Sequence, residues 1–305
     1  MVENNVPRRG LIAAAFTPMN AAGEVDFARI PAYAEWLAAA GVAGVFVNGT
    51  TAESQSLSVA ERLETVAHWA KAARDKLPIV VHVGCTALPD AQVMAEHAQR
   101  VGAVGIAAHS PYFFKPRMPE LVGWCSAVAA AAPALPFYYY QIPAMTGVAL
   151  PVAEFVTAAR SAVKTLAGIK FTYEDLMDLQ NVLRQEGERL NILFGRDEIL
   201  LAGLTLGCEG AVGSTYNFAA PVFHRVVAAH ARGDRGEAQR QQSLAAAFIT
   251  VMSKHGGLSA GKAIMKMVGF DCGPCRLPMR TLTESERGAL QEALTAANFF
   301  THCAK

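Results

Sequence analysis

Eight short apolar runs recur along the chain, at residues 10–15, 44–48, 79–83, 104–109, 135–140, 165–170, 191–194 and 210–213. Very few polar residues interrupt them. A strand with one wet face alternates apolar with polar residues. A strand covered on both faces does not, and parallel strands are covered on both faces. The intervening segments carry the helical period instead, as at residues 26–40, 58–76, 90–101 and 173–186. Ser58 stands three residues before Glu61, the spacing of a capping box. Strand and helix therefore alternate from residue 10 to about residue 232, the pattern of an α/β (β/α)8 TIM barrel. A doubly wound sheet would show fewer strands and a glycine-rich loop after the first. Here Phe16-Thr-Pro-Met follows instead, which excludes that arrangement. Beyond about residue 234 the pattern is wholly helical, at residues 234–254, 259–268 and 284–299. The expected organisation is a barrel over residues 1–232 and a helical extension over residues 233–305 packed on it, with no linker between them.

Bulk properties narrow the partners. There are 27 basic and 26 acidic residues, a formal charge of +1. Neither nucleic acid nor an anionic membrane surface finds a complementary field here. The charged fraction is 17% against 52% hydrophobic, which points to apolar surface buried between subunits. The N-terminal run Met1-Val-Glu-Asn-Asn-Val-Pro-Arg-Arg lacks the basic-then-apolar order of a signal peptide. The longest apolar stretch, residues 124–140, contains Pro133 and Pro136 and reads as a helix end, a turn and a strand. Six scattered cysteines then read as reduced and mostly buried, and the expected compartment is the cytoplasm. Cys272-Gly-Pro-Cys275 resembles a redox motif, but Arg276-Leu-Pro278 follows where that motif needs a helix. It reads as a loop with two incidental thiols.

Chemistry-bearing residues gather at the C-terminal ends of the strands, where barrel enzymes build their sites. Among nine lysines, Lys170 closes the apolar run Thr165-Leu-Ala-Gly-Ile-Lys170, whereas Lys71, Lys76 and Lys262 read as residues of helices with polar neighbours. Burial lowers a lysine's pKa, and a neutral amine can form a Schiff base with a carbonyl. The plainer reading is a lysine snorkelling to water. The preceding run, Leu135-Pro-Phe-Tyr-Tyr-Tyr140, ends in a phenol at the equivalent height. After the second run comes Asn48-Gly-Thr-Thr-Ala-Glu53, where hydroxyls and successive backbone N–H groups suit a carboxylate. Ser110-Pro-Tyr-Phe-Phe114 follows the fourth run, Gly195-Arg-Asp-Glu198 the seventh and Ser214-Thr-Tyr-Asn217 the eighth. Each is also readable as a turn, a cap or first-turn acids. Their joint occurrence at one end of six strands is not explained by capping alone. His82 and His109 have no ligand-spaced partner, read as core or lining residues, and no metal is expected.

The run of Gly49-Thr-Thr, Tyr140-Gln-Ile-Pro, Gly168-Ile-Lys and Gly213-Ser-Thr-Tyr-Asn resembles the N-acetylneuraminate lyase branch of the dihydrodipicolinate synthase superfamily. The resemblance covers nearly the whole chain, and residues 136–147 and 194–198 carry its branch-specific pieces. It implies a homotetrameric, pyruvate-dependent class I aldolase with no metal or organic cofactor. It also implies roles by position. Lys170 would form the Schiff base, Tyr140 would relay a proton, and Thr50 and Thr51 would hold the keto-acid carboxylate. Thr172, Gly195, Asp197, Glu198 and Ser214 would hold the polyol of an opened sugar acid. The expected reaction is cleavage of N-acetylneuraminate to pyruvate and N-acetylmannosamine. The alternatives are an aldolase or dehydratase for another 2-keto-3-deoxy sugar acid, or a binding protein without turnover. Dihydrodipicolinate synthesis is disfavoured by Met145, which stands where that enzyme places a carboxylate-binding arginine. Two further positions depart from the family pattern. Ala52 replaces a loop glycine, costing about 1 kcal/mol if that backbone is left-handed. Phe113, beside Tyr112, replaces a tyrosine of the hydroxyl relay.

Overall fold

Residues 3–186 and 189–303 are described by the structure, a computed structural model. Met1 and Val2, the start of the N-terminal run considered above, lie outside them. The apolar runs form eight parallel strands: β1 (Gly10–Ala14), β2 (Gly44–Val47), β3 (Ile79–His82), β4 (Gly105–His109), β5 (Phe137–Gln141), β6 (Leu166–Phe171), β7 (Asn191–Phe194) and β8 (Gly210–Gly213). Each pairs with the next, and β8 pairs with β1 to close the barrel. The helices between them cover its outside, as the two-sided burial of the strands requires.

Alternation along each strand separates two cores. Outward residues such as Val45, Ile106, Tyr139 and Phe171 pack under the helices. Inward residues, including Ile12, Phe46, Val80, Tyr138, Tyr140 and Leu193, fill the barrel. Val6 lies in the same inner cluster. The Tyr138 phenol accepts from Asn191 Nδ2 at 2.9 Å and bonds Asn4. Strand ends differ slightly from the sequence reading. β5 and β6 run one residue further, because Gln141 pairs with Phe171. Tyr140 and Lys170 are therefore the last inward-facing residues of their strands rather than the terminal ones.

The helix starts follow their caps. Ser58 and Glu61 form the reciprocal capping box of helix Val59–Ala72. Residues 26–40 divide into a 3-10 turn (Phe27–Arg29) and a helix (Ile30–Ala39) that has proline in its first turn. After the barrel come helices Arg235–Lys254, Leu258–Met267 and Glu284–Ala296. The last stops short of residue 299, because Asn298 takes a left-handed backbone before a short helix, Phe299–Cys303. The segment holding Cys272 and Cys275 is loop, and both thiols are free.

One glycine fixes how closely β5, β6 and β7 approach. A Cβ on Gly168 would sit 2.2 Å from the Tyr138 ring and 2.3 Å from the Asn191 carbonyl oxygen. Neither atom belongs to a flexible side-chain end. Gly168→Ala is expected to destabilise the chain by about 2–3 kcal/mol through overpacking, read as a lowered urea midpoint at unchanged slope.

Candidate active site

Parallel pairing places Lys170 directly opposite Tyr140. Both are buried, at 4% and 3% exposure, so the sequence pair lies inside the barrel rather than at its rim. Lys170 Nζ stands 4.0 Å from the centre of the Tyr140 ring and 3.8 Å from that of Phe46. The amine is not snorkelling; aromatic faces surround it. Burial pulls its pKa down to about 7, with nearby Asp197 opposing the shift. Burial likewise raises the Tyr140 phenol to about 12, against the pull of the Thr50 and Thr172 hydroxyls. The phenol lies 3.3 Å from Thr50 Oγ1. His82 stands edge-on to the same ring, with centres 5.7 Å apart.

The loop of Thr50 and Thr51 leaves β2 through a tight turn, with Ala52 N–H donating to Gly49 O and Glu53 N–H to Thr50 O. Thr51 is buried beside it at 6% exposure. Left-handed backbone occurs here at Asn48 and Glu53, both with φ 58°, and not at Ala52. The condition under which alanine would be costly is therefore unmet. Ala52 is buried, and its carbonyl accepts from Thr17 Oγ1 at 2.7 Å.

Asp197 opens a short turn after β7 and is 5% exposed. Its Oδ2 accepts from the Thr215 amide (3.0 Å) and hydroxyl (2.6 Å), while Oδ1 has no donor within hydrogen-bond distance. Burial lifts this carboxyl to about 6. Two glycines make room for the pair of side chains. A Cβ on Gly213 would sit 1.9 Å from Asp197 Oδ1, and one on Gly195 would sit 1.9 Å from Thr172 Oγ1. Glu198 is more open, and its carboxylate pairs with Arg196 Nη2 at 2.9 Å. Arg196 also pairs with Glu174. Ser214 is half-buried, and its carbonyl accepts from Asn217 Nδ2.

The loop after β4 supplies no direct relay. Phe113 is 75% exposed, and the Tyr112 phenol donates to Gln55 Oε1 at 3.2 Å. His82 and His109 are core residues whose Nδ1 atoms bond the Asn48 and Ser110 carbonyls at 2.8 Å. The sequence reading missed Phe46 and Glu174, and it gave no role to Arg196 and Thr215 within the segments it singled out. Phe46 was detectable, since it is the inward residue nearest the end of β2.

The profile of the dihydrodipicolinate synthetase family matches residues 7–297. This chain belongs to that family. Within it the chain is 42% identical over 293 residues to N-acetylneuraminate lyase of Sus scrofa, covering 93% of this chain and 92% of that protein. The solved N-acetylneuraminate lyase of Proteus mirabilis superposes with a TM-score of 0.92 at 37% identity, over 95% of this chain and 99% of that one. A structure described as the catalytic lysine mutant of Ruminococcus gnavus sialic acid aldolase superposes with a TM-score of 0.91 at 28% identity, over 96% and 97%. The lyase resemblance read from the sequence motifs is borne out.

In this family member the depressed lysine has a measurable cost. Its pKa is about 7 when folded against 10.5 when free. Between these values the unfolded chain holds a proton that the folded chain lacks, so this group makes stability rise with pH. The rise ends as pH passes the unfolded value. Lys170→Met removes the group. From pH 7 to pH 9 the stability difference between wild type and variant is expected to change by about 2 kcal/mol in favour of wild type. Urea unfolding at the two pH values measures it, and the variant is the more stable protein at pH 7.

Proposed function

We propose that this chain is a class I pyruvate aldolase that cleaves N-acetylneuraminate to pyruvate and N-acetylmannosamine. One observation carries the reading: a lysine with its amine near neutrality faces a hydroxyl-bonded tyrosine across adjacent strands inside the barrel. The names of the relatives support it. Those proteins are N-acetylneuraminate lyases, and the Ruminococcus gnavus protein is described as having a catalytic lysine.

In this reading Thr50 and Thr51 hold the carboxylate of the opened sugar acid. Lys170 Nζ adds to the keto carbon, and the carbinolamine takes up a proton and loses water to leave an iminium; the final hydrolysis returns that proton. Tyr140 accepts the proton of the C4 hydroxyl while passing its own proton through Thr50 Oγ1, 3.3 Å away, to the substrate carboxylate held there, from which it is available to the enamine at C3. The C3–C4 bond breaks, its electron pair flows to the iminium nitrogen, and N-acetylmannosamine leaves as the aldehyde. The enamine takes a proton at C3, and water releases pyruvate and the amine. Asp197 Oδ1, Glu198, the Thr172 hydroxyl, Ser214 and the Gly195 backbone serve the hydroxylated tail, because a carboxylate accepts more than one strong hydrogen bond.

The reading requires no metal or organic cofactor, since the iminium is the electron sink. A homotetramer is part of it, supported by the low charged fraction and by the exposed lip of Phe113, Phe114 (85%) and Met145 (62%). So is a cytoplasmic location, supported by six free thiols. Among the described residues no helix is long and apolar enough to cross a membrane.

Four experiments test this reading. Pyruvate with borohydride is expected to add one reduced pyruvyl group to the peptide containing Lys170, and a label elsewhere refutes the mechanism. Tyr140→Phe is expected to lower kcat by roughly 10²–10⁴-fold while labelling at Lys170 survives better. Asp197→Ala is expected to lower kcat/KM for N-acetylneuraminate by roughly ten- to a hundredfold, with little effect on pyruvate labelling. A wild type that clearly prefers 2-keto-3-deoxygluconate keeps the aldolase class and overturns the substrate.

A further inference from the structure

The carboxylate loop is flanked by two non-glycine residues in left-handed backbone, Asn48 and Glu53. Such backbone persists only where surrounding contacts over-determine it. Asn48 is held from within the barrel wall. Its Nδ2 donates to the Arg62 carbonyl at 2.9 Å, and its own carbonyl accepts from His82 Nδ1. Glu53 is held differently, by the part of the chain that follows the barrel.

Its carboxylate is buried, at 1% side-chain exposure, and Oε1 lies 2.6 Å from Lys262 Nζ. Lys262 belongs to helix Leu258–Met267 and is itself 3% exposed. Packing of that helix against the barrel buries the ammonium, so the sequence reading of a helical lysine among polar neighbours is corrected. The ammonium also donates to the Pro274 carbonyl at 2.7 Å. Glu53 Oε2 accepts from the Arg276 backbone N–H at 2.7 Å. The Arg276 guanidinium then grips Ser56 O at the far end of the loop, Gly23 O, and both oxygens of Glu61. The Cys272–Cys275 segment thus contributes a carbonyl and leads to an amide, and its thiols are incidental to that role.

A buried ion pair roughly breaks even with apolar packing, so stability alone does not account for placing one here. What it does supply is a fixed geometry, two residues from Thr51. We propose that the Glu53–Lys262 pair, with the Arg276 amide, is the positioning device of the keto-acid carboxylate site. On this view the helical extension is a working part of the pyruvate subsite. Removing the pair lets the turn relax, moving Thr50 and Thr51 off the carboxylate while Lys170 and Tyr140, on their own strands, stay in place. The inference rests on the reading that Thr50 and Thr51 bind that carboxylate.

Borohydride trapping at Lys170 tests both, with pyruvate and with acetone, a carbonyl compound that lacks the carboxylate. The variants are Lys262→Met, which leaves the acid without its ammonium, and Glu53→Gln, which keeps the side-chain shape and an acceptor for Lys262 Nζ and removes only the charge. The expected result is a rise of about tenfold in half-saturating pyruvate. Saturated trapping stays within about threefold of wild type, and acetone trapping is unchanged. A purely structural role lowers Tm and leaves the preference for pyruvate over acetone intact, which overturns the inference. A wild type that traps pyruvate no better than acetone overturns the underlying reading of Thr50 and Thr51 instead. Equal losses for pyruvate and acetone also count against the positioning role, since they place the damage at the amine.

Discussion

Everything at this site depends on excluding water from one amine. Lys170 is an inward residue of β6, and the closed barrel leaves it only 4% exposed. Desolvation of the ammonium lowers its pKa, and the aromatic faces of Phe46 and Tyr140 replace water only in part. Asp197 pulls the other way and loses, because burial also weakens its own charged form. The result is a pair of ionisable groups displaced toward each other, the lysine to about 7 and the acid to about 6. Such displaced pairs are found where chemistry needs both protonation states within reach of neutral pH.

The same register that buries the amine aligns its partners. Tyr140 is opposite Lys170 because β5 and β6 pair in parallel with Tyr138 opposite Gly168 one step below. Gly168 permits that closeness, Gly195 opens space for Thr172, and Gly213 opens space for Asp197. Three glycines on or beside three successive strands therefore set how closely the side chains around Lys170 pack. They do so by lacking a Cβ, not by adopting unusual backbone, since none of the three has positive φ.

Much of this was legible in the sequence because it is local and periodic. Near-continuous apolar runs reported two-sided burial, and the last residues of those runs reported what faces the barrel mouth. Lys170 and Tyr140 followed from that rule alone, although both strands extend one residue further than read, since Gln141 and Phe171 pair beyond them. What stayed hidden is non-local. The Glu53 carboxylate and the Arg276 amide are 223 residues apart in sequence. Nothing near Lys262 announces that its charge is buried, for only the packing of the extension against the barrel creates that environment. The significance of Ala52 was hidden for a related reason. Which residues of a turn are left-handed depends on what grips them, and the grips fall on Asn48 and Glu53.

Burial has a second consequence if Lys170 carries the substrate as an iminium. The environment that disfavours the ammonium also disfavours the iminium, which bears the same charge in the same place. That penalty is relieved when the C3–C4 bond breaks, because the electron pair neutralises the nitrogen. Low polarity around Lys170 therefore favours the enamine side of the cleavage step, an effect expressed at the step itself rather than in binding. The positive charge of the iminium cannot be left wholly uncompensated, or the iminium would never form. Two negative groups are placed to balance it: the substrate's own carboxylate, if held at Thr50 and Thr51, and Asp197. A loop fixed from outside by Glu53 and Lys262 would keep the first of these at constant distance from the nitrogen through the cycle. Preorganised charge of this kind does not have to rearrange as the reaction proceeds, which is where its advantage over water lies.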